Sequence, residues 1–305
     1  MAHQEAKNIA IFAHYDKHNL IDDYVVIYLQ NLKKFCSKII FVSDGDLSVL
    51  EQQKILHITS DIIATRHQEY DFGSYKQGFN LLKKKYPQEF SNLDQLVLAN
   101  DSCYCVGEFD FTFSQIDRMP NIDCFGITDS GEICHHLQSY FLVLKKTVFL
   151  TSFFENFLQN IQKQNLKQNI IEAYEIGFSQ LLAQNNKKIY AIYGKNFIQN
   201  YVNQNKKLIK QKILKTIGLY QKIFGLKRIY NTLFKISDCY SYHNAFQPLI
   251  LSGCPLLKRS IILKNFMPKK ILNTSSLCYF WQNIVGKETS YSTKVISDHA
   301  NRISK

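Results

Sequence analysis

The chain has 305 residues, 37 Lys and Arg against 25 Asp and Glu, and a formal net charge of +12. That length supports a sizeable core in one large or two small domains, and 46% hydrophobic residues with only 12 Gly and 5 Pro exclude a disordered or collagenous chain. The charge is local: Ile176 to Ser237 holds twelve Lys and Arg and no acid, and the two signs cancel over the rest, which argues against a uniformly basic nucleic-acid binder.

Asn8 to Ala13 (NIAIFA) is an apolar run that predicts a buried strand. Ile21 to Phe35 carries Ile21, Tyr24, Val25, Tyr28, Leu29 and Leu32 at helical spacing, with Asp22 and Asp23 at the positive helix end. Lys38 to Ser43 (KIIFVS) is a second strand, stopped by Asp44-Gly45-Asp46. A short helix from Leu47 to Ile55, a strand from Asp61 to Thr65, a helix from Gly73 to Tyr86 and a strand from Gln95 to Ala99 follow. Asp123 to Thr128, Ser139 to Leu144 and Lys188 to Tyr193 read as strands, and Phe149 to Ile161 and Ile170 to Gln184 as helices. The alternation predicts an α/β domain over residues 1–195 with a mainly parallel sheet and flanking helices. Residues 196–305 read as a basic, mainly helical C-terminal region. Within it Lys206 to Ile236 interleaves Lys and Arg with Ile209, Ile213, Ile217, Tyr220 and Phe224 at roughly helical spacing, broken by Gly218 and Gly225. Such a segment covers a core with a solvated basic face, lies on anionic lipid or binds nucleic acid, the last without any RNA-binding motif to support it.

The eight cysteines include no C-x-x-C pair and read as reduced core thiols of a cytosolic protein. Cys134, His135 and His136 are consecutive, and adjacent residues rarely share a tetrahedral zinc centre. The start MAHQEAKN has no apolar signal core, and no uncharged apolar run is long enough to cross a bilayer. The expected location is cytoplasmic, soluble or peripheral to a membrane.

Ligands of open α/β sheets bind beyond the carboxyl ends of the strands. Here those ends carry His14-Tyr15-Asp16, Asp44-Gly45-Asp46, Arg66-His67 and Asn100-Asp101-Ser102. Asp101 could hold Mg2+ or Mn2+ against a diphosphate, or the triplet could be a turn or cap. Arg66 to Gly78 gathers Arg66, Asp71, Ser74, Tyr75 and Lys76 at a helix start, which suits a phosphate or plain capping by Ser74 or Asp71. Asp129 and Glu175 are candidate general bases or ordinary acids. His136 and His243 have the same open status. No GxSxG, P-loop, HExxH or GxGxxG occurs, which argues against hydrolase, ATPase and classical dehydrogenase readings.

Taken in order, FAHYD (Phe12 to Asp16), IDDYVVIYLQNLKK (Ile21 to Lys34), YDFGSYKQG (Tyr70 to Gly78), LVLANDSCY (Leu96 to Tyr104), FGITD (Phe125 to Asp129), HLQSYFLVLKK (His136 to Lys146), YEIGFSQLL (Tyr174 to Leu182) and GCPLLKRSIILKN (Gly253 to Asn265) resemble the rhamnan synthesis F family of bacterial polysaccharide glycosyltransferases. Two departures stand out: Glu69 where a glycine is expected, and Ser241-Tyr242-His243-Asn244 in place of an aromatic-rich stretch. The resemblance implies transfer of a sugar, in the type case L-rhamnose from dTDP-L-rhamnose, to a hydroxyl of a growing cell-surface polysaccharide or lipopolysaccharide glycan. It implies a GT-A-like nucleotide-sugar-binding sheet. His14, Tyr15, Asp16, Asp44, Arg66, Asp71, Ser74, Tyr75, Lys76 and Asn100 would then bind the donor. Asp101 would end a degenerate D-x-D metal element for Mg2+ or Mn2+, with Ala99 in its first position. His136, Gln138 and His243 would face acceptor or sugar, and Glu175, or else Asp129, would be the base of an inverting reaction. The expected partners are a nucleotide-sugar donor, a lipid-linked or growing glycan and an anionic membrane surface reached through 206–236, with no nucleic acid. Another nucleotide-sugar enzyme, such as a sugar-phosphate transferase, and a non-enzymatic basic scaffold or RNA-binding protein are the alternatives.

Overall fold

The computed structural model describes residues 8–131, 133–164, 166–208, 242–263, 285–286 and 289–303. Of the basic segment 206–236, all but Lys206 to Leu208 therefore lies outside the described residues.

In chain order the first elements are β1 (Asn8–His14), α1 (Asp23–Lys33), β2 (Lys38–Ser43), α2 (Val49–Gln53), β3 (Asp61–Ala64), α3 (Tyr70–Lys85), α4 (Pro87–Asn92) and β4 (Gln95–Asn100). They are followed by β5 (Cys103–Cys105), α5 (Asp110–Arg118), β6 (Cys124–Gly126), β7 (Asp129–Ser130), β8 (His136–Leu137) and β9 (Phe141–Lys145). Helices α6 (Lys146–Phe149), α7 (Ser152–Gln159) and α8 (Lys167–Ile170) come next, then a π-helical stretch (Ile171–Ile176), α9 (Gly177–Gln184), β10 (Ile189–Ala191) and α10 (Lys195–Gln204). Further on lie a helix at Tyr242–Leu251, β11 (Leu256–Lys258) and helices at Arg259–Leu263 and Thr293–Ile303.

The chain forms two compact units that alternate along the sequence. The first comprises Met1–Asp101, Phe109–Ile127 and His136–Tyr190, and the second Ser102–Glu108, Thr128–His135 and Ala191–Lys305.

The first unit is a mixed α/β layer structure. Its seven-stranded sheet has the order β10-β6-β9-β4-β1-β2-β3. β1 pairs in parallel with β2 and β4, and β2 with β3. Strand β9 runs antiparallel to both β4 and β6, so the sheet is mostly parallel with an antiparallel insertion. The unbroken apolar run of β1 follows from its place: all seven residues are buried, as befits a central strand covered on both faces. In α1 the buried residues are Tyr24, Val25, Tyr28, Leu29 and Leu32, the stripe that the sequence spacing predicts.

Aromatic rings fill the space under the sheet. Phe12 stacks on Phe41 with centroids 5.9 Å apart and meets Tyr28 edge-on at 5.1 Å. Phe109 stacks on Phe141 at 5.1 Å. Helix α5 was not anticipated from its mixed sequence, yet it buries Thr112, Phe113 and Ile116. The helix expected at Ile170 to Gln184 is interrupted by the π-helical stretch.

The second unit contains an antiparallel pair, β5 with β11, in the register Cys105 to Leu256 and Cys103 to Lys258. Tyr201 donates to the Leu251 carbonyl at 2.7 Å and Tyr193 to that of Gly253 at 2.9 Å. Gly253 adopts φ 89°, which lets the chain leave the preceding helix and enter β11. Cys36 and Cys124 of the first unit and Cys103, Cys105 and Cys254 of the second are buried outside any disulfide, and burial pushes the Cys254 thiol up to about 12. Among the described residues no helix is long and apolar enough to cross a membrane.

Helix α3 presses on β1 through Gly78, where an added Cβ would overlap the branched Ile11 side chain. Because Ile is stiff at χ1 and both neighbours belong to the core, Gly78→Ala is expected to lower the unfolding free energy by ~1–3 kcal/mol, read by chemical denaturation.

Candidate active site

Strands β1, β2 and β4 are adjacent and parallel, so their exits share one edge of the sheet. His14 is level with Ser43, and Ala13 with Asn100. Two further backbone bonds prolong the ladders: Asp44 N–H donates to the His14 carbonyl at 2.9 Å, and Asp101 N–H to that of Ala13 at 3.1 Å. Both carboxylates are therefore fixed by the strands that precede them. The buried His14 ring has Nδ1 at 3.0 Å from Ser43 Oγ and Nε2 at 3.9 Å from Asp101 Oδ2. Tyr15 N–H donates to Asp101 Oδ2 at 3.2 Å. Asp16 closes its own turn, Oδ1 accepting from His18 N–H at 2.8 Å and Leu20 N–H at 3.3 Å.

Asp44 organises the loop that leads into α3. Its Oδ1 accepts from His67 N–H at 2.8 Å and Gln68 N–H at 2.9 Å. Two non-glycine residues here, Gln68 (φ 62°) and Tyr70 (φ 57°), sit in the left-handed region, which a loop tolerates only when its surroundings hold it there. The half-exposed Arg66 guanidinium lies 5.0 Å over the Tyr15 ring, with Nε 3.7 Å from Asp44 Oδ1. The Tyr15 hydroxyl above all, helped by Asp44 and Asp46, holds the Arg66 pKa above its ordinary value. His67 Nδ1 accepts from Glu69 N–H at 3.1 Å, which leaves its Nε2, 3.0 Å from Ser74 Oγ, as the protonated nitrogen. Burial lowers the His67 pKa despite Asp44 and Glu69 nearby. Lys76 meets Glu69 Oε2 at 2.5 Å and the Ile161 carbonyl at 3.0 Å. Glu69, the departure from the glycine of the family pattern, thus supplies that lysine's counter-charge.

Behind this edge Tyr75 is fully buried and donates to the Ser139 carbonyl at 3.3 Å. Its pKa lies well above the ordinary value, first through burial and then through the charges of Asp71, Asp101 and Glu175. The negative charges of all three carboxylates thus bear on one hydroxyl. Asp71 is held by Asn100, whose Nδ2 donates to its Oδ2 at 2.6 Å.

Glu175 reaches the site from the π-helical stretch, where the wider turn re-aims side chains relative to α-helix. Tyr174 anchors that turn by accepting from Gln162 N–H and donating to its carbonyl, both at 2.9 Å, and by packing 5.8 Å from Phe72 of α3. Glu175 Oε1 lies 3.2 Å from His136 Nε2. Its Oε2 accepts from Ser139 N–H at 3.1 Å and Ser139 Oγ–H at 2.5 Å. His136, Gln138 and Ser139 are all buried.

The structure thus gathers His14, Tyr15, Asp16, Asp44, Arg66, Asp71, Ser74, Tyr75, Lys76, Asn100, Asp101, His136, Gln138 and Glu175 in the first unit. Asp129 and His243 belong to the second. Asp129 Oδ2 is 3.0 Å from His135 Nε2, and its Oδ1 accepts from Lys195 N–H at 3.0 Å, at the start of α10. His243 lies on the helix Tyr242–Leu251. His67 belongs to the Arg66-His67 pair noted at a strand end, whereas Ser43 and Ser139 are candidate-site residues that sequence reasoning did not single out. Ser139 lies inside the quoted HLQSYF run, and only the placement of Glu175 marks it.

Among the described residues no group of three or more His, Cys, Asp or Glu side chains is arranged to hold a metal ion. Asp101 offers one carboxylate, with Oδ2 already accepting from Tyr15 N–H. Phosphate-bound Mg2+ uses one or two carboxylates and completes its shell with waters and phosphate oxygens. That donor set fits an ion that arrives with a diphosphate, not one held by the protein alone.

An α/β sheet with converging polar groups beyond its parallel strand ends is the layout of a small-molecule-binding domain. Residues 39–193 match the model of the family described as rhamnan synthesis protein F, about half of the chain, and the chain belongs to that family. No curated protein matches it. Among solved structures it is similar to 4-diphosphocytidyl-2C-methyl-D-erythritol synthase from Anaerococcus prevotii, at 12% identity and TM-score 0.41, over 61% of this chain and 87% of that one. It is also similar to a cytidylyltransferase from Leptospira borgpetersenii, at 11% identity and TM-score 0.37, over 61% and 76%.

Two outcomes follow from the Asp44 loop. Asp44→Ala leaves the His67 and Gln68 amides without their acceptor, so stability should drop by ~1–3 kcal/mol in thermal denaturation, with faster proteolysis at 65–70. The His67 pKa is lowered on folding from its ordinary 6.5, so the folded state resists a proton that the unfolded chain accepts. Its contribution is complete above that value and is lost as pH falls below it toward the folded pKa. In His67→Gln the slope of stability against pH in that window should flatten.

Proposed function

We propose that the chain is a glycosyltransferase that moves a sugar from a nucleotide-sugar donor to a hydroxyl of a growing cell-surface glycan. The type-case donor of the family, dTDP-L-rhamnose, is the first to test. The observation that carries this reading is the parallel register of β1 with β2 and β4, which sets His14, Asp44 and Asp101 side by side at one edge of the sheet. Membership of the rhamnan synthesis protein F family supports it.

In this reading the sheet is of GT-A type. Tyr15 and Arg66 line the donor's nucleoside diphosphate, and Arg66 offsets charge that develops on the leaving group. Asp44 acts by shaping the Arg66 loop, and Asn100 and Asp71 flank the sugar. Asp101 would hold a divalent cation, Mg2+ or Mn2+, whose charge neutralises the diphosphate. Glu175 draws the proton from the acceptor hydroxyl as the new glycosidic bond forms on the face opposite the leaving diphosphate. His136 and Gln138 are the proposed acceptor-side groups of the first unit. In the same reading 206–236 dock on anionic lipid at the cytoplasmic face of the membrane.

Purified protein and a panel of nucleotide sugars, with and without chelator, test this reading. Release of nucleoside diphosphate supports it, and release of nucleoside monophosphate marks a sugar-phosphate transferase instead. Silence with every donor, together with RNA binding, overturns it in favour of a basic scaffold. With an active donor, Glu175→Gln should cut kcat by ~10²–10⁴-fold, the usual contribution of a positioned base, and turnover near normal would remove Glu175 from that role.

A further inference from the structure

The loop from Arg66 to Tyr70 is held from three sides. At the end of β2, Asp44 Oδ1 takes the His67 and Gln68 amides. On α3, Gly73 makes room for the loop, since a Cβ there would run into the Glu69 side chain and His67 Nδ1. From the segment after α7, Lys163 Nζ donates to Gln68 Oε1 at 2.5 Å, across 95 residues of sequence. Gln68 has φ 62°. A non-glycine residue persists in that region where its surroundings over-determine it, and such places cluster at ligand sites.

The segment that carries Lys163 is fixed as well. The Tyr174 hydroxyl accepts from Gln162 N–H, donates to the Gln162 carbonyl and lies 3.3 Å from Gln164 Nε2. The residues on either side of Lys163 are therefore tied to the ring that also anchors the Glu175 turn.

Among the described residues three cations reach the loop, and they differ in what holds them. Lys76 meets the Glu69 carboxylate at 2.5 Å, and Arg66 Nε lies 3.7 Å from Asp44 Oδ1. Lys163 is exposed, and among the described residues its partner is the neutral Gln68 amide oxygen, with no carboxylate paired to it. A neutral acceptor positions an ammonium without cancelling its charge. An anionic oxygen displaces that acceptor, because it adds a Coulomb attraction that the amide lacks.

The geometry points to Lys163 as a diphosphate-binding residue, parked on Gln68 until a nucleoside diphosphate takes its ammonium from the amide. This deepens the glycosyl-transfer reading above and rests on it, since the diphosphate is that of the donor. Arg66 and Gln68 are two residues apart, so one loop brings both cations to the edge where the strand ends supply carboxylates. The lysine is a point charge on a flexible stem, which suits following phosphate oxygens.

Calorimetric titration of the full chain with the diphosphates of thymidine, uridine, guanosine and cytidine, in buffer containing Mg2+, tests this without turnover. Lys163→Gln should weaken the diphosphate that wild type binds by ~10-fold, the usual scale for one hydrogen bond between charged groups. Lys163→Arg, which keeps the charge, should stay within about threefold of wild type. Gln68→Met breaks the same contact from the other side and leaves the cation in place, so it should cost less than about threefold. Equal losses in Gln68→Met and Lys163→Gln would mean that the contact only shapes the loop, and overturn the proposal. Unchanged binding in Lys163→Gln, or no binding of any of the diphosphates by wild type, overturns it too. Binding that depends on Lys163 in a protein that turns over no donor overturns the transfer reading and leaves the diphosphate site standing. Donor turnover by Lys163→Gln with wild-type diphosphate affinity overturns this proposal alone.

Discussion

The parallel pairing of β1 between β2 and β4 is the constraint on which the site depends. One strand, buried along its whole length, sets the level of both neighbours, and each ladder gains one backbone bond past its end. Those two bonds place Asp44 and Asp101 on either side of His14. A one-residue slip of β2 or β4 would move every side chain of that strand to the other face of the sheet. Both faces of these strands are buried, so the slip would exchange the side chains packed on the two faces as well as take the carboxylate out of the site. Core packing and site geometry are thus enforced by the same register, and the stacked Phe12 and Phe41 rings across the β1–β2 pair lock it.

A site built from several carboxylates needs each one compensated, because a buried charge without partners is costly. The protein does this locally and differently for each. Asp44 receives two amides of the loop that it shapes, Asp71 an amide side chain, Asp101 the Tyr15 amide, and Glu175 the Ser139 amide and hydroxyl with His136 beside it. Neutral donors do most of the work and leave the negative charge in place. Lys76 is matched to Glu69, whereas Arg66 remains half exposed over Tyr15.

The sheet was legible in the sequence because apolar runs such as KIIFVS and QLVLAN carry their own burial signal and end in turn-forming polar residues. The stripe of α1 was legible for the same reason, through its helical period. The antiparallel β9 was legible as a strand but not in its direction, since direction is set by which neighbours it joins and not by its residues. The π-helical stretch was invisible: IEAYEI has the composition of ordinary helix, and its wider turn depends on Tyr174 being held by Gln162 and Phe72 from elsewhere in the chain. The triplet Asn100-Asp101-Ser102 could be read as a cluster, but the division of labour within it could not. Asn100 turns to Asp71 and Asp101 to Tyr15, contacts that span 29 and 86 residues of sequence.

The charge imbalance of the chain takes on a physical sense against this site. Residues 1–175 hold 16 Lys and Arg and 22 Asp and Glu, and residues 176–305 hold 21 and 3. The acidic part supplies the carboxylates beyond the strand ends, and of the two cations drawn from the α3 approach one is already matched. An anionic ligand approaching that edge meets the half-exposed Arg66, which Asp44 already attends at 3.7 Å, together with whatever counter-ion it brings. In the glycosyl-transfer reading proposed above, a diphosphate arriving with its own divalent cation would suffer far less from those carboxylates than a bare one, since the ion would make Asp101 a ligand in place of a repulsive group.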